Sequence, residues 1–374
     1  MLFDQLFKEI ENTKSADKNM DADTYQSIRE KISGCLFGGA LGDALGYAVE
    51  FISYPTIQKR YGKNGIQNLD LSGKKAIVSD DTQMTLFTME GMLQGYGWTV
   101  FQGTEAKVEY YVYLSYLKWF QTQKMSLTFE IPLKWSSKLA DVPEMNHLRA
   151  PGNTCLNALA SGKMGTIEVP INNSKGCGGV MRTAPLGFTK AFGSALLNGA
   201  KVAAITHGHP LGWIPAGMLS DIIFKIIYGE KRSLREIIED SLADTVNQFK
   251  DCPDITYFEQ LMRKAIDMSE TDDDDVTTIE ALGGGWVGEE ALAIAVYCCL
   301  KYSNDMKKML AVSVNHGGDS DSTGAIAGNI LGAYLGMDAI PKDWLDQLEM
   351  VDVIQNQTDG MMLLISEEWK NPIL

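Results

Sequence analysis

Two runs of glycine, each with a glycine at every fourth position, constrain the fold of this chain more than any other feature of its sequence. One run lies near the beginning of the chain and the other near its end; the members are Gly34, Gly38, Gly42, Gly46, Gly324, Gly328, Gly332 and Gly336. A four-residue spacing places the members of a run on one face of a helix. Because a glycine inside a helix costs about 1 kcal/mol relative to alanine, so many glycines require a compensating contact. The runs therefore predict two central helices that other helices approach closely.

Most of the remaining chain has the apolar spacing of helices, and alternating strand patterns are nearly absent. Apolar residues recur three and four positions apart in the segments 27–50, 82–96, 105–120, 153–161, 195–206, 213–229, 233–248, 255–268, 288–302, 305–314 and 322–336. No linker rich in proline, glycine or serine divides the chain. We therefore predict an all-α fold, a compact orthogonal helical bundle that forms a single domain over residues 27–374. An N-terminal extension, residues 1–26, precedes it, and its first turns are either a docking helix or a frayed tail.

The composition argues against several classes of protein. The 374 residues carry 33 Lys and Arg against 48 Asp and Glu, a formal net charge of −15, which disfavours a protein that follows the phosphates of nucleic acid. The most apolar stretch, residues 211–227, is interrupted by Asp221 and Lys225, so we expect no membrane-spanning segment. Polar residues stand where the apolar part of a signal peptide would lie, and the six cysteines are scattered. We therefore expect a cytoplasmic protein with reduced thiols that does not bind a membrane, and nucleic acid is a disfavoured partner.

Two clusters of carboxylate and hydroxyl side chains each stand immediately before a predicted helix. Their members are Ser79, Asp80, Asp81 and Thr82 in the first cluster, and Asp319, Ser320, Asp321, Ser322 and Thr323 in the second. Helix capping is one explanation, but a cap needs a single residue of this kind. Two carboxylates about 4 Å apart repel by roughly 4 kcal/mol at an effective dielectric near 20, so a folded protein neutralises them with a cation or a proton. Oxygen ligands suit Mg²⁺ or Mn²⁺, whereas zinc would favour Cys or His, which both clusters lack.

A third acidic feature lies on the first glycine-rich helix. Asp43 and Glu50 are seven residues apart, which puts both on one helical face among small and apolar neighbours. Either this face is exposed to solvent, or Glu50 is a free carboxylate near the metal ions that transfers a proton. The second alternative predicts a mechanism in which two ions hold the substrate and a water, while Glu50 or a ligand aspartate carries the proton that the leaving group needs.

Other segments have weaker signals. The glycines of residues 176–179 either bring backbone amides close to a diphosphate or form a plain tight turn. Residues 283–288 fit the dinucleotide-binding pattern G-x-G-x-x-G, but an Asp-rich run precedes them instead of a strand. We expect this loop to cap the helix that begins at Glu289 and to border the cleft that contains the acidic clusters. Arg182, His209 and His316 are most simply structural residues, and no nucleophile elbow supports a Ser-His-Asp triad.

A series of motifs along about residues 28–340 resembles the ADP-ribosylglycohydrolase family. The motifs occupy residues 34–51, 79–84, 150–154, 175–185, 206–210, 283–291 and 315–324. They include the first glycine run with Asp43 and Glu50, both acidic clusters, and the glycine-rich loop. The resemblance implies an all-α bundle with a binuclear Mg²⁺ or Mn²⁺ site in a central cleft.

The resemblance also implies roles for individual residues. One group of metal ligands is matched by Ser79, Asp80 and Asp81, and the other by Asp319, Asp321 and Ser322. Glu50 matches a carboxylate beside the scissile ribose, the loop of residues 176–182 matches the lining of the diphosphate and ribose pocket, and His207 matches a histidine near the ribose. The predicted catalytic residues are Glu50, Asp80 and Asp321. The predicted substrate-binding residues are Asp43, Gly176, Cys177, Gly178, Gly179, Met181, His207 and Trp286.

The chain departs from the family pattern at three of these positions. Serine stands at positions 79 and 322, where threonine is common, and Cys177 stands in the loop where other residues are usual. Serine keeps the hydroxyl group, so metal binding should survive these two changes. Cys177 instead affects the fine shape of the substrate pocket.

These assignments predict a hydrolase that uses two Mg²⁺ or Mn²⁺ ions to cleave the glycosidic bond between ADP-ribose and a modified target. ADP-ribosylated arginine on a protein is the leading substrate; serine-, nucleic-acid- and small-molecule-linked ADP-ribose are the alternatives. A two-metal phosphoesterase is a rival, although such sites usually recruit histidine, which neither cluster contains. A catalytically silent ADP-ribose-binding relative is the rival from another class, and the intact acidic clusters argue against it. The expected partners are an ADP-ribosylated protein and a cognate ADP-ribosyltransferase or toxin.

Overall fold

The computed structural model describes residues 20–102 and 107–370, and in these ranges every regular element is a helix. The α-helices are α1 Ala22–Tyr47, α2 Tyr54–Tyr61, α3 Asp80–Gln102, α4 Val108–Thr122, α5 Asn153–Ala160, α6 Ala195–Ala204, α7 Pro210–Tyr228, α8 Leu234–Gln248, α9 Ile255–Met268, α10 Asp275–Leu282, α11 Gly288–Lys301, α12 Met306–Val314, α13 Ser320–Leu335, α14 Lys342–Leu345 and α15 Val351–Lys370. Short 3₁₀ turns cover Pro132–Lys134, Leu139–Asp141, Pro143–Asn146, Cys177–Gly179, Ala184–Gly187 and Met337–Ala339. The predicted all-α fold is confirmed. The docking helix predicted within the N-terminal extension lies outside the described residues.

The two glycine runs meet where α1 packs against α13. The helices are antiparallel, so Gly38 faces Gly328 and Gly42 faces Gly324. A Cβ atom added at Gly38 or Gly42 would come closer than 3.0 Å to a backbone carbonyl of α13. The predicted close approach is therefore present, and each run is the partner of the other.

These two helices occupy the centre of the molecule. Residues 32–46 of α1 and residues 320–333 of α13 are all buried. Helices α7, α11 and α12 pack on α13, while α3 and α15 pack on α1. Because the pair is antiparallel, the end of α1 lies beside the beginning of α13. This arrangement brings the two distant acidic clusters into one region of the fold.

Helix α15 is the main element that the sequence prediction overlooked. It packs on α1 and α3, and Arg29 Nη2 of α1 lies 2.6 Å from Asp359 Oδ1 of α15. Its buried residues include Ile354, Met361 and Ile365, a spacing that a helical pattern search could have found. The shorter helices α2 and α10 span only eight residues each, which is too few for a clear periodic signal.

Helix α7 is long and apolar enough to cross a membrane by composition alone. Its most apolar window is 83% buried inside the protein, however, because α6, α8, α11 and α13 pack around it. The apolar surface of α7 thus belongs to the hydrophobic core.

Candidate active site

One cleft of about 240 Å³ joins both acidic clusters with the glycine-rich loop. The predicted site residues that line it are Glu50, Asp80, Asp81, Gly176, Cys177, Gly178, Met181, His207, Trp286, Asp319, Asp321 and Ser322. Three others, Asp43, Ser79 and Gly179, lie behind its wall. The structure thus places the predicted segments around one cleft, although not every predicted side chain faces it.

The carboxylates crowd closely at one side of this cleft. One ligand atom from each of Glu50, Asp319 and Asp321 lies within 4.8 Å of the other two. Two buried oxygen atoms, Glu50 Oε2 and Asp81 Oδ2, have no hydrogen-bond partner among the described residues. Crowded and partly unpartnered carboxylate oxygens of this kind fit divalent cations such as Mg²⁺ or Mn²⁺. The donor set therefore suits the metal ions that the sequence predicted.

The raised pKa values of these carboxyl groups show that their crowding is electrostatically unfavourable. Burial, followed by the charges of neighbouring carboxylates, raises the pKa of Asp80, Asp81 and Asp321 well above the usual range. Burial, and then the charges of Asp319 and Asp80, raise the pKa of Glu50 to about 9. The cluster therefore requires either protons or cations to be stable at neutral pH.

Two helix N-termini position these side chains. Asp80 is the first residue of α3, and Asp319 caps α13 by accepting a hydrogen bond from Ser322 N at 3.3 Å. The positive end of each helix favours the nearby carboxylates. Capping was the alternative explanation for the clusters, and it accounts for Asp319. It does not account for Asp81, whose Oδ2 atom is unpartnered.

Asp43 does not reach the cleft, so its prediction as a substrate-binding residue needs correction. Its side chain is fully buried and accepts hydrogen bonds from Ser79 N at 2.9 Å, Thr82 N at 3.0 Å and Thr82 Oγ1 at 2.5 Å. Nor do Asp43 and Glu50 share a helical face, because α1 ends at Tyr47 and Glu50 lies beyond it. Through these hydrogen bonds, Asp43 instead stabilises the beginning of α3.

Ser79, predicted as a metal ligand, is also fully buried behind the cleft. Its Oγ atom accepts a hydrogen bond from Asp81 N at 3.1 Å. The hydroxyl thus supports the first turn of α3 instead of facing the cleft.

The loops of residues 176–179 and 283–288 together form part of the wall of the cleft. Cys177 N donates to Trp286 O at 3.2 Å, and Gly288 N donates to Lys175 O at 2.8 Å. The second loop therefore borders the cleft and leads into α11, as the sequence predicted, and no strand precedes it among the described residues. The first loop is a 3₁₀ turn, which was one of the two expected structures.

Cys177 connects the loop to the acidic cluster. Its thiol donates a hydrogen bond to Asp319 Oδ2 across 2.7 Å. Burial and the charge of Asp319 raise the pKa of the Cys177 thiol well above its usual value, so the group is a protonated donor. The unusual residue in this loop therefore contacts a candidate metal ligand directly.

The remaining predicted structural residues have structural contacts. Arg182 is fully buried, and its guanidinium lies 4.5 Å from the centre of the Tyr116 ring, outside the cleft. His209 caps α7 by accepting from Leu211 N. His316 Nδ1 accepts from Gly318 N at 3.1 Å, which shapes the loop before Asp319.

Sequence reasoning missed Phe51 at the rim of the cleft. This residue is 66% exposed, has a positive φ of 63°, and stacks on Trp286 with ring centres 5.7 Å apart. An exposed aromatic side chain in the left-handed region is uncommon and often marks a functional segment. The available signal was its position directly after Glu50, within the first motif.

An all-helical fold around a buried carboxylate cleft defines the class of protein, and comparison with known proteins defines the family. The chain belongs to the ADP-ribosylglycohydrolase family, whose model matches residues 24–371. It is 26% identical to the ADP-ribosyl-[dinitrogen reductase] glycohydrolase of Rhodospirillum rubrum, over 91% of this chain and 98% of the relative.

Two further proteins are similar, one over a shorter part of the chain and the other at lower sequence identity. The human ADP-ribosylhydrolase ARH3 is 26% identical over 47% of this chain and 54% of its own length. A solved structure, described as an ADP-ribosylglycohydrolase-related protein complex, superposes with a TM-score of 0.61 at 21% identity. The superposition covers 91% of this chain and 98% of the chain in the solved structure, which confirms the fold.

Proposed function

We propose that this protein is a metal-dependent hydrolase that releases ADP-ribose from modified arginine on a protein. Membership of the family supports hydrolysis of an ADP-ribosylated substrate. The observation that carries the metal dependence is the carboxylate cluster, in which Glu50 Oε2 and Asp81 Oδ2 are buried without partners among the described residues. The substrate would be supplied by an ADP-ribosyltransferase or a toxin of that activity.

Two Mg²⁺ or Mn²⁺ ions would be held by the oxygens that face the cleft. The candidate ligands are Asp80, Asp81, Asp319, Asp321 and Ser322. When bound, such ions lower the pKa of a water molecule and polarise ribose oxygens. Ser79 and Asp43 would act from behind, since their hydrogen bonds hold the first turn of α3 in place.

Glu50 would supply the proton for the leaving group. Its pKa of about 9 in the ion-free protein keeps the carboxyl group protonated at neutral pH. A carboxyl group that holds a proton beside the cleft is suited to general acid catalysis. Bound cations would lower this pKa and bring it closer to the range in which the group both gives and takes a proton.

The rim of the cleft favours arginine as the modified residue. Phe51 and Trp286 form a stacked aromatic pair beside Glu50, and both rings are partly exposed. A guanidinium group is planar and cationic, so it binds well on an aromatic face and near carboxylates. The similarity over nearly the full length to a glycohydrolase that acts on a modified protein also supports a protein target.

The decisive experiment offers the protein arginine-, serine- and nucleotide-linked ADP-ribose and measures released ADP-ribose. Arginine-linked substrate should be cleaved fastest, EDTA should abolish the activity, and Mg²⁺ or Mn²⁺ should restore it. Glu50→Gln should lower kcat about a hundredfold or more while ADP-ribose affinity is kept. Glu280→Gln, an exposed position on α10, is the matched control and should be fully active.

Each alternative has its own outcome. Faster cleavage of another linkage would replace arginine by that linkage, and full activity in EDTA would refute the metal mechanism. Binding of ADP-ribose without release from any substrate would identify a catalytically silent relative.

A further inference from the structure

His207 lies at the floor of the cleft, beneath the glycine-rich loop. It is 1% exposed, yet it belongs to the lining of the cleft. A Cβ atom added at Gly176 would lie 3.3 Å from its Nε2 atom, and one added at Gly178 would lie 3.4 Å from Cε1. The missing side chains of these two glycines thus leave the Nε2 edge of the ring uncovered. No hydrogen bond to Nε2 occurs within the described part of the chain.

A buried arginine stands behind the other edge of this ring. Arg182 is fully buried and forms no ion pair with a carboxylate among the described residues. Its Nη2 atom donates to Thr206 Oγ1 at 2.5 Å, and Thr206 Oγ1 lies 2.8 Å from His207 Nδ1. Arginine has only donors, so Thr206 must be the acceptor in the first of these bonds.

This arrangement restricts where the ring carries its proton. The Thr206 hydroxyl has one hydrogen, and its two neighbours able to accept it are His207 Nδ1 and the sulfur of Cys155, which Arg182 Nη1 also contacts at 3.2 Å. An imidazole nitrogen is a much stronger acceptor than a thiol sulfur. The positive charge of Arg182 further favours a lone pair on the ring nitrogen that faces it. Both effects leave Nδ1 unprotonated and the hydrogen on Nε2.

We propose that Arg182 and Thr206 are positioning residues that hold neutral His207 with its Nε2–H group directed into the cleft as a hydrogen-bond donor. The group that receives this bond is a substrate oxygen, either a hydroxyl of the ribose or an oxygen of the diphosphate. The identity of this ligand rests on the proposed function, whereas the position of the proton does not. With the hydrogen on Nδ1 instead, a lone pair would face the cleft, which would repel a diphosphate oxygen and would reverse the direction of a hydrogen bond with a hydroxyl.

The position of the proton is tested in the protein without substrate. The chain has four histidines, so long-range proton–nitrogen spectra of histidine-labelled protein contain few ring signals, and His207→Gln identifies the one of interest. The wild type should show hydrogen on Nε2 only. Thr206→Ser should keep this pattern, while Thr206→Val, which removes the hydroxyl at nearly the same volume, should move the Nδ1 signal to the position of a nitrogen that accepts no hydrogen bond, because the ring loses the group that holds it.

The consequence for binding is tested by calorimetric titration with ADP-ribose and with ADP, which lacks the second ribose. Thr206→Val should weaken ADP-ribose binding about tenfold, as expected for a misplaced hydrogen bond, and Thr206→Ser should restore it. A loss with both ligands assigns the bond to the diphosphate, and a loss with ADP-ribose alone assigns it to the ribose. Thr245→Val, which deletes a buried hydroxyl in α8 bonded to Ser241 O, is the control and should bind normally.

Two results would overturn the proposal. One is a wild-type ring with its hydrogen on Nδ1, and the other is an Nδ1 signal that does not change in Thr206→Val. If neither ligand binds any variant, the proposed function fails, but the spectra of the ligand-free protein still decide the role of Arg182 and Thr206.

Discussion

Asp43 stabilises the beginning of α3 from a neighbouring helix. Its two carboxylate oxygens accept from the backbone amides of Ser79 and Thr82 and from the Thr82 hydroxyl. These are amides at a helix N-terminus that lack partners within their own helix. A residue predicted to touch substrate therefore acts one step behind the cleft, where it holds Asp80 and Asp81 in position.

Replacement of Asp43 by Asn should lower the free energy of unfolding by about 2 kcal/mol, because the amide nitrogen would face backbone donors. Urea unfolding measures this change, and titration with Mn²⁺ should show weaker binding as Asp80 and Asp81 shift. Asp343→Asn is the control, since Asp343 forms an ion pair with Lys307 at the surface and its side chain is 62% exposed. Its effect should stay below about 0.5 kcal/mol. Equal stability of the two variants would contradict the role of Asp43.

At the scale of elements, the antiparallel pair of α1 and α13 determines where the chemistry lies. Because the glycines have no side chains, backbone carbonyl groups of each helix lie directly against the glycines of the other helix. Since α1 ends where α13 begins, Glu50 and Asp319 become neighbours although the chain separates them widely. The glycine stripe is therefore a requirement of the cleft as well as of the core.

Gly328→Ala tests this packing. Alanine has the higher helix propensity by about 1 kcal/mol, yet its Cβ would come closer than 3.0 Å to the backbone of Gly38 and Gly39. We expect a net loss of about 3 kcal/mol in unfolding free energy, because backbone cannot move aside as a side chain can. Gly317→Ala, whose new methyl group would meet its nearest atoms at 3.6 Å, should be nearly neutral. An unchanged urea midpoint for Gly328→Ala would refute the close-packing argument.

At the scale of the whole molecule, the cleft joins parts of the chain that lie far apart in the sequence. Carboxylates on both sides repel one another, so cations should act as a bridge that stabilises the folded protein. The stabilisation follows from mass action and reaches about 2.7 kcal/mol per site at a free ion concentration about 100 times the Kd.

Addition of Mn²⁺ should therefore raise the urea midpoint of the wild type, and EDTA should reverse the increase. The double variant Asp81→Asn with Asp319→Asn should lose the increase, while being at least as stable as the wild type in EDTA because the repulsion is reduced. A double variant in the exposed acidic run, Glu270→Gln with Asp272→Asn, should keep the full response. An Mn²⁺ effect of equal size in both variants would indicate nonspecific ion binding.

Much of this site could be predicted because its signals are local. The acidic clusters stand directly before helices, and their residue types already suit hard cations. The direction of each side chain could not be predicted, because it depends on where a helix ends and on what packs beside it. The end of α1 at Tyr47 separates Asp43 from Glu50, and the aromatic pair of Phe51 and Trp286 exists only through contact between distant loops.

By itself, the sequence determined that the protein is helical, that two glycine-rich helices are central, and which segments supply the acidic groups. Helical periodicity and residue chemistry are properties of short segments, so they can be read without knowing the fold. Only the tertiary structure decided which oxygens enter the cleft, which ones remain behind it, and that Arg182 and Thr206 stand behind His207. Those facts depend on packing between residues far apart in the chain, where burial and close approach select one orientation of each side chain.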